Sequence, residues 1–377
     1  MVAGESSGDA LGAGLMSTIK KKIKNVHFVG ISGPKMKKLG FESWYNISDL
    51  SVIGIFEIFK HILHILKIRK ILFERLKIFK PDVFIGIDSP DFNLPLEGRL
   101  KKIGIPIVHY VSPSIWAWRK KRIKQIVKNT NLVLLLFPFE KQLYINYNIP
   151  HCFVGHAIAN KFALKPNKKQ ARKKLGLSSN NLYLAILPGS RLSEIKMLSV
   201  SFIITAKTLC ENDSSLRILL VLNNVELLKK FKKIQLKTAP ELFFKVFLNK
   251  SSQVLIASDI ALVASGTATL ECLLAKCPMV IGYKVNILTF FIVKSLIKIP
   301  YISLPNILTN KNIVKEFIQN KCTPLNLTKA LQYLLYNVKE KNILYNIFYK
   351  LHKKLRCNSN EKATQVILKL IKNHQYF

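Results

Sequence analysis

The sequence has little of what disulfide scaffolds, zinc modules and membrane spans require. Its six cysteines (Cys152, Cys210, Cys272, Cys277, Cys322, Cys357) are scattered with no C-x-x-C pair, which argues against a zinc site or a disulfide framework and leaves reduced thiols. No charge-free run of about 18 apolar residues occurs, so no spanning helix is expected. The opening residues, Met1-Val2-Ala3-Gly4-Glu5, lack the basic and apolar regions of a secretory leader. Acidic residues are scarce, 21 Asp and Glu against 59 Lys and Arg, for a formal net charge of +38. Arginine is scarce too, nine beside 50 lysines. The charge comes without an RNP-type aromatic motif, a helix-turn-helix signature or C₂H₂ spacing, so no specific nucleic-acid partner is expected. Lysine spread over nearly every segment reads either as solvated surface or, with a mean hydropathy of +0.19, as affinity for an anionic membrane surface.

What is present is a globular chain of 377 residues, 49% hydrophobic, long enough for two lobes. Short apolar runs alternate with longer helical patterns: 26–29, 83–87, 105–110 and 132–136, then 182–187, 216–222, 243–248, 260–264 and 279–283. Runs that are apolar throughout suit parallel strands buried on both faces, so the pattern predicts an α/β chain of two Rossmann-like, doubly wound lobes. The polar, basic stretch 161–179, containing Pro166, predicts the boundary near Ala163. The first lobe is then 1–163, the second 164–355, and 356–377 a C-terminal helix crossing back to the first lobe.

Several strand-to-helix turns carry candidate chemistry. In Ala3-Gly4-Glu5-Ser6-Ser7-Gly8-Asp9, small residues precede a helix whose free N–H groups can receive an anion, or simply make a structural turn. Asp88 and Asp91 end the 83–87 strand, where open α/β sheets place ligands; Asp88 is the candidate general base and Asp91 the helix cap. His109, Ser112, Trp116 and Trp118 follow the next strand as a wall for sugar or acyl chains, or as core anchors. Gly189, Ser190 and Arg191 form a turn before a helix that Ser193 could cap, an arrangement for a diphosphate in which the guanidinium offers two-pronged contacts that lysine cannot copy. Ser265, Gly266 and Thr267 repeat the device, with Glu271 one turn further to accept ribose hydroxyls. From 53 to 79 a helical pattern is too apolar for one core contact. Ile55, Phe56, Phe59, Ile62, Leu63 and Leu66 are its candidates for touching membrane or acyl chains, unless it is buried between elements.

With these segments assembled, the chain resembles the lipid-A-disaccharide synthases over almost its whole length. The resemblance is carried by AGESSGDALGAGL (3–15), GIDSPDFNLPLEG (86–98), HYVSPSIWAWRKKR (109–122), PFEK (138–141), FVGH (153–156), LPGSRLSEI (187–195), ASGTATLECLLAKCPMVIGY (264–283) and SLPN (303–306). It implies a GT-B type fold and an inverting, metal-independent transfer without cofactor. The donor would be UDP-2,3-diacylglucosamine and the acceptor 2,3-diacylglucosamine 1-phosphate (lipid X), giving the β-1′,6-linked disaccharide 1-phosphate and UDP in lipid A and lipopolysaccharide biosynthesis. It further implies Asp88 as the essential acid and Arg191 with Gly189-Ser190 as the diphosphate grip. Ser265, Gly266, Thr267, Glu271 and Asn306 become further donor contacts. Glu5, Ser7, Gly8, His109, Ser112 and Trp116 are the acceptor-side candidates, with Glu5 and His109 as reserve bases. The implied setting is cytoplasmic, peripheral at the inner face of the inner membrane; a homodimer is compatible, and the oligomeric state stays open. One departure stands out: only Met1 and Val2 precede Ala3, so the first strand is expected to be truncated, with pairing edges exposed on both neighbours.

Overall fold

The computed structural model describes residues 1–50, 58–113, 115, 120–286 and 300–374. The chain forms two units, Met1–Asn160 with Leu355–Phe377, and Lys161–Lys354. Unit 1 contains β1 (Val2–Ala3), α1 (Ser6–Lys22), β2 (Val29–Ser32), α2 (Pro34–Lys37), β3 (Glu42–Asn46), α3 (Ile58–Phe79), β4 (Phe84–Ile87), α4 (Pro90–Lys101), β5 (Ile107–Tyr110), α5 (Ile123–Asn129), β6 (Leu132–Leu135), α6 (Lys141–Asn146) and β7 (His151–Phe153). Unit 2 contains α7 (Lys168–Lys174), β8 (Leu182–Leu187), α8 (Leu192–Asn212), β9 (Leu216–Leu222), α9 (Val225–Thr238), β10 (Phe244–Leu248), α10 (Ser251–Ala257), β11 (Ile260–Ala264), α11 (Thr267–Ala275), β12 (Met279–Tyr283), α12 (Leu304–Thr309), β13 (Glu316–Ile318), α13 (Pro324–Tyr336) and α14 (Val338–Leu355). The last helix, α15 (Ser359–His374), belongs to unit 1.

Each unit is a parallel sheet covered on both faces by helices. In unit 1 the strand order is β3-β2-β1-β4-β5-β6-β7; in unit 2 it is β10-β9-β8-β11-β12-β13. Period-2 alternation sorts the strand residues of unit 1 between the two faces of its sheet. Ala3, Ile87, Val108 and Tyr110 pack with Leu15, Met16 and Ile19 of α1 and with Ala363 and Ile367 of α15. Val2, Ile31, Phe84 and Ile107 pack with Ile68, Leu72 and Leu76 of α3 and Leu96 and Leu100 of α4. Both faces are dry, which is why the strands read as continuous apolar runs.

The expectation of a short first strand with exposed edges on its neighbours is met in part. β1 is two residues long, yet it pairs in parallel on both sides, Val2 with Ile31 and Gly86, Ala3 with Ile87. Met1 adds one bond to the ladder, its carbonyl accepting from Ile31 N at 3.1 Å, but Phe84 and Ile85 of β4 have no β1 partner and line a cavity with Met1 and Val29. The apolar helix is also more specific than expected. Ile68, Leu72, Phe73 and Leu76 in the second half of α3 are buried, whereas Ile62, Leu63 and Leu66 are 48%, 58% and 43% exposed. Ile55 and Phe56, and the side chain of Phe59, lie outside the described residues.

The FVGH run receives the chain where it re-enters unit 1. Gly155 has φ +80, and a Cβ there would lie 2.5 Å from Leu355 O; His156 N donates to the same carbonyl at 3.1 Å. The His156 imidazole accepts from Ile158 N at 3.3 Å, and its ring lies 5.7 Å from that of Phe137. Close packing pushes its pKa down to about 4. A base depressed in the folded state gives stability that is complete above its unfolded value near 6.5 and is lost as pH falls towards 4. Denaturation at stepped pH should therefore show unit 1 losing about 3 kcal/mol more over that window in the native chain than in His156→Gln.

Candidate active site

In an open parallel sheet the helices leave opposite faces on either side of the point where strand order reverses, and the crevice at the carboxyl ends there receives ligands. In unit 1 that point lies between β1 and β4; in unit 2 it lies between β8 and β11. The four turns leaving these strands are Gly4–Ser7, Asp88–Pro90, Pro188–Arg191 and Ser265–Thr267.

At the β1/β4 point the two turns touch. A Cβ on Gly4 would sit 1.9 Å from Ser89 Oγ, so only glycine lets the first turn lie against the second. Glu5 is exposed at the start of α1 in extended conformation, and Ser7 is exposed beside it. Gly8 is buried, its would-be Cβ 3.4 Å from Ala3 Cβ and 3.5 Å from Ile87, so it sets the closeness of helix and sheet. Asp9 serves the scaffold: buried, it accepts from the N–H groups of Gly33, Lys35 and Met36 at 2.9–3.1 Å and caps α2 from outside.

Asp88 and Ser89 both have positive φ, +55 and +45, and Val111 at the end of the neighbouring β5 has +83. Non-glycine residues in this region cost of order 1–3 kcal/mol each, and a β-branched one is the most strained. Asp88 is held there through its main chain: its N–H donates to Tyr110 O at 2.9 Å, and Asn93 Nδ2 donates to its carbonyl at 2.7 Å. Its carboxylate takes no part in this bracing, and the residue is only half-buried. Asp91 is not the cap it was expected to be. Ser89 is the N-cap and Pro90 the first helical residue; Asp91, three-quarters exposed, forms an ion pair with Arg122.

His109 and Ser112 are both buried. His109 is fully buried and shares a hydrogen bond of 2.7 Å with Glu97, also fully buried, on α4. Burial pushes the Glu97 carboxyl up, opposed by the neighbouring imidazole. Gly86 is glycine because a Cβ there would lie 2.1 Å from Glu97 Oε1. Ser112 is tied to Tyr144 Oη at 2.8 Å. Trp116 and Trp118 lie outside the described residues. Removing one member of a buried pair strands the other, so Glu97→Ala should destabilise unit 1 by about 3–5 kcal/mol in chemical denaturation, and Glu97→Gln, which keeps the hydrogen bond, by clearly less.

In unit 2 the turn after β8 is braced from within. Glu194 accepts from Ser190 N at 2.7 Å and Arg191 N at 3.1 Å. Gly189, at φ +127, would place a Cβ 2.4 Å from the same carboxylate. The N-cap is Arg191 itself, not Ser193, which lies inside the first turn of α8. The amides expected to grip a diphosphate are thus engaged by Glu194, and the exposed Arg191 side chain is left as the cation of this turn. Tyr283, ending β12, senses the charges of both Glu194 and Arg191, although burial is the chief cause pushing its hydroxyl up.

The turn after β11 is more open. Gly266 has φ +148, and a Cβ there would meet nothing within 4 Å. Backbone conformation alone demands glycine, and the space above it is free. Ser265 Oγ donates to Ile302 O at 2.8 Å, and Thr267 is exposed at the first position of α11. Glu271 is half-buried; desolvation raises its pKa, countered by Ser251 and Lys161. Asn306 braces the segment after α12. Fully buried, it accepts from Ile313 N and Val314 N and donates to Val314 O and Glu316. Glu316, which the motifs did not mark, also accepts from Ile302 N and Ser303 N at 3.0 Å and so fixes the segment beside Ser265.

A family model described as Lipid-A-disaccharide synthetase matches residues 1–367. A lipid-A-disaccharide synthase of Blochmanniella pennsylvanica is 50% identical over 99% of this chain and 96% of its own length; one of Escherichia coli is 46% identical over 98% and 97%. Among solved structures, a UDP-GlcNAc 2-epimerase from Neisseria meningitidis bound to UDP-GlcNAc has a TM-score of 0.65 at 12% identity, covering 96% of this chain and 97% of that one. At that identity the likeness speaks for the fold alone.

Proposed function

Because the chain belongs to the lipid-A-disaccharide synthase family and is a glycosyltransferase of lipid A biosynthesis, we propose that it joins UDP-2,3-diacylglucosamine to 2,3-diacylglucosamine 1-phosphate, with inversion and without a metal. The observation that carries this reading is Asp88: a carboxylate on a strained, main-chain-braced turn at the reversal point of the unit 1 sheet.

In this reading the Asp88 carboxylate takes the proton of the acceptor 6-hydroxyl as that oxygen attacks C1 of the donor sugar. The bond from C1 to the UDP oxygen breaks on the opposite face, giving the β-1′,6 linkage, and UDP leaves with the bonding electrons. Arg191 holds the charge growing on the diphosphate, together with the amino end of α11 above the open Gly266. Thr267 and Ser265 complete that grip, and Glu271 accepts the ribose hydroxyls. Glu5 lies beside the base on the acceptor side. His109 and Ser112 become positioning residues because their polar atoms face inward, and so does Asn306, whose amide is already bonded on both sides.

The acylated substrates require an interfacial setting. Exposed Ile62, Leu63 and Leu66 beside Lys67 and Lys70 support a peripheral hold on the cytoplasmic face of the inner membrane. Among the described residues no helix is long and apolar enough to cross a bilayer.

The test is UDP release by the purified chain. Release from UDP-2,3-diacylglucosamine only when 2,3-diacylglucosamine 1-phosphate is added, and not with the deacylated acceptor, is the expected result. Conversion of the donor sugar without any acceptor would point to an epimerase and overturn the reading.

A further inference from the structure

The arginines are unevenly spread: of nine, Arg69, Arg99 and Arg122 gather around α4 and the adjoining turns of α3. Arg69 Nη1 donates to Asp91 O at 3.3 Å, and Arg122 meets the Asp91 carboxylate, so two guanidiniums converge on one residue of the first turn of α4. Arg99 lies over the Phe73 ring at 3.8 Å with Glu74 at 3.7 Å. Partial burial, and then the like charge of Arg99, depress the Arg69 guanidinium. Like charges drawn together and partly desolvated are unfavourable unless anions offset them; Asp91 does so for Arg122 and Glu74 for Arg99, while Arg69 meets the main-chain carbonyl of Asp91. In a chain that elsewhere uses lysine, arginine at these positions favours a ligand that takes two parallel N–H bonds.

The same helix supplies an apolar track. Ile62, Leu66 and Arg69 follow one another at spacings of four and three, on one face of α3, with Leu63 beside them. The exposed apolar residues thus end three residues, about 4.5 Å of helix rise, before Arg69. A phosphate and two acyl chains attached to one sugar ring span such a step.

Resting on the acceptor reading above, we propose that Arg69 and Arg122 hold the phosphate monoester of the acylated acceptor, its acyl chains lying along Ile62, Leu63 and Leu66. Asp91 lies three residues after Asp88 in the first turn of α4, so a phosphate fixed there orients the sugar towards the base. Asp91 keeps Arg122 at the edge of α4 until the phosphate takes its place on the guanidinium.

The experiment compares Arg69→Gln and Arg122→Gln with the unaltered chain on two acceptors, 2,3-diacylglucosamine 1-phosphate and the same molecule without its phosphate. The expected result is a loss of kcat/KM of about 30-fold, carried by KM, on the phosphorylated acceptor. On the other acceptor little should change, and Arg→Lys variants should recover only part of the loss. An equal loss on both acceptors, or on UDP affinity, would mean a structural role and overturn the proposal. Vesicles separate the two sources of phosphate: binding to phosphatidylglycerol vesicles weakened relative to the unaltered chain, with binding to phosphatidylcholine vesicles and acceptor discrimination intact, would assign the arginines to the bilayer and overturn it too. Should the unaltered chain transfer to neither acceptor, the functional reading falls first. Equilibrium binding of the two acceptors in detergent micelles then decides the arginine site without turnover.

Discussion

Asp88→Asn lowers kcat by about a thousandfold or more and leaves UDP affinity unchanged, because a general base contributes on the order of 10²–10⁴ and the amide cannot accept the 6-hydroxyl proton. The geometry makes this a clean substitution. Asp88 is held through its N–H to Tyr110 O and its carbonyl to Asn93, so an isosteric amide leaves the turn as it is. Donor contacts belong to unit 2 in this reading and should not feel the change. Steady-state transfer and calorimetric titration with UDP check both halves. Full turnover in Asp88→Asn, with the variant folded and binding UDP, would remove Asp88 from the chemistry and turn attention to Glu5, exposed at the end of the adjacent strand.

Arg191→Lys reduces kcat/KM by about 10²–10³, nearly as much as Arg191→Ala, and weakens UDP binding in both. The argument is that the turn before α8 has already committed its Ser190 and Arg191 amides to Glu194. An incoming diphosphate must then be met largely by the guanidinium, whose planar fork a point-charge ammonium does not reproduce. If lysine restored activity, the contact would be generic attraction, and a backbone grip at Gly266–Thr267 would be the main anchor. Kinetics with saturating donor and UDP titration of both variants separate these cases.

The two sheets were legible because their central strands are buried on both faces. Leu182–Leu187, Leu216–Leu222, Ile260–Ala264 and Met279–Tyr283 stand where the apolar runs predict them. What escaped lies at the edges. β3 (Glu42–Asn46) is half-exposed and polar, while β7 and β13 have three residues each, so none makes a run distinguishable from a loop. β2 begins at Val29, not Val26, and runs through Gly30 and Ser32, which an apolar template passes over.

For the site, position along the chain was readable and direction was not. The four turns are visible as small residues after apolar runs, but a run buried on both faces gives no sign of which residue faces a helix and which faces solvent. His109 and Tyr110 are neighbours on opposite faces, and only the placement of α4 sends His109 to Glu97. Asn306 in SLPN could equally touch a ligand or brace a loop; only the fold shows its amide taken up by Val314 and Glu316, eight and ten residues on. Glu194 could have been found, standing three residues after the N-cap as a capping box requires, but an arginine at that cap masks the usual pattern.

The measurement that bears most directly on inverting transfer by this chain is the mass and anomeric configuration of the product made by the purified protein from UDP-2,3-diacylglucosamine and 2,3-diacylglucosamine 1-phosphate in the presence of EDTA. Base catalysis by Asp88 with the diphosphate held by Arg191 predicts a disaccharide 1-phosphate, β-configured at the new linkage, formed at the same rate with chelator as without. An α linkage, or no disaccharide until a divalent ion is returned, would contradict it.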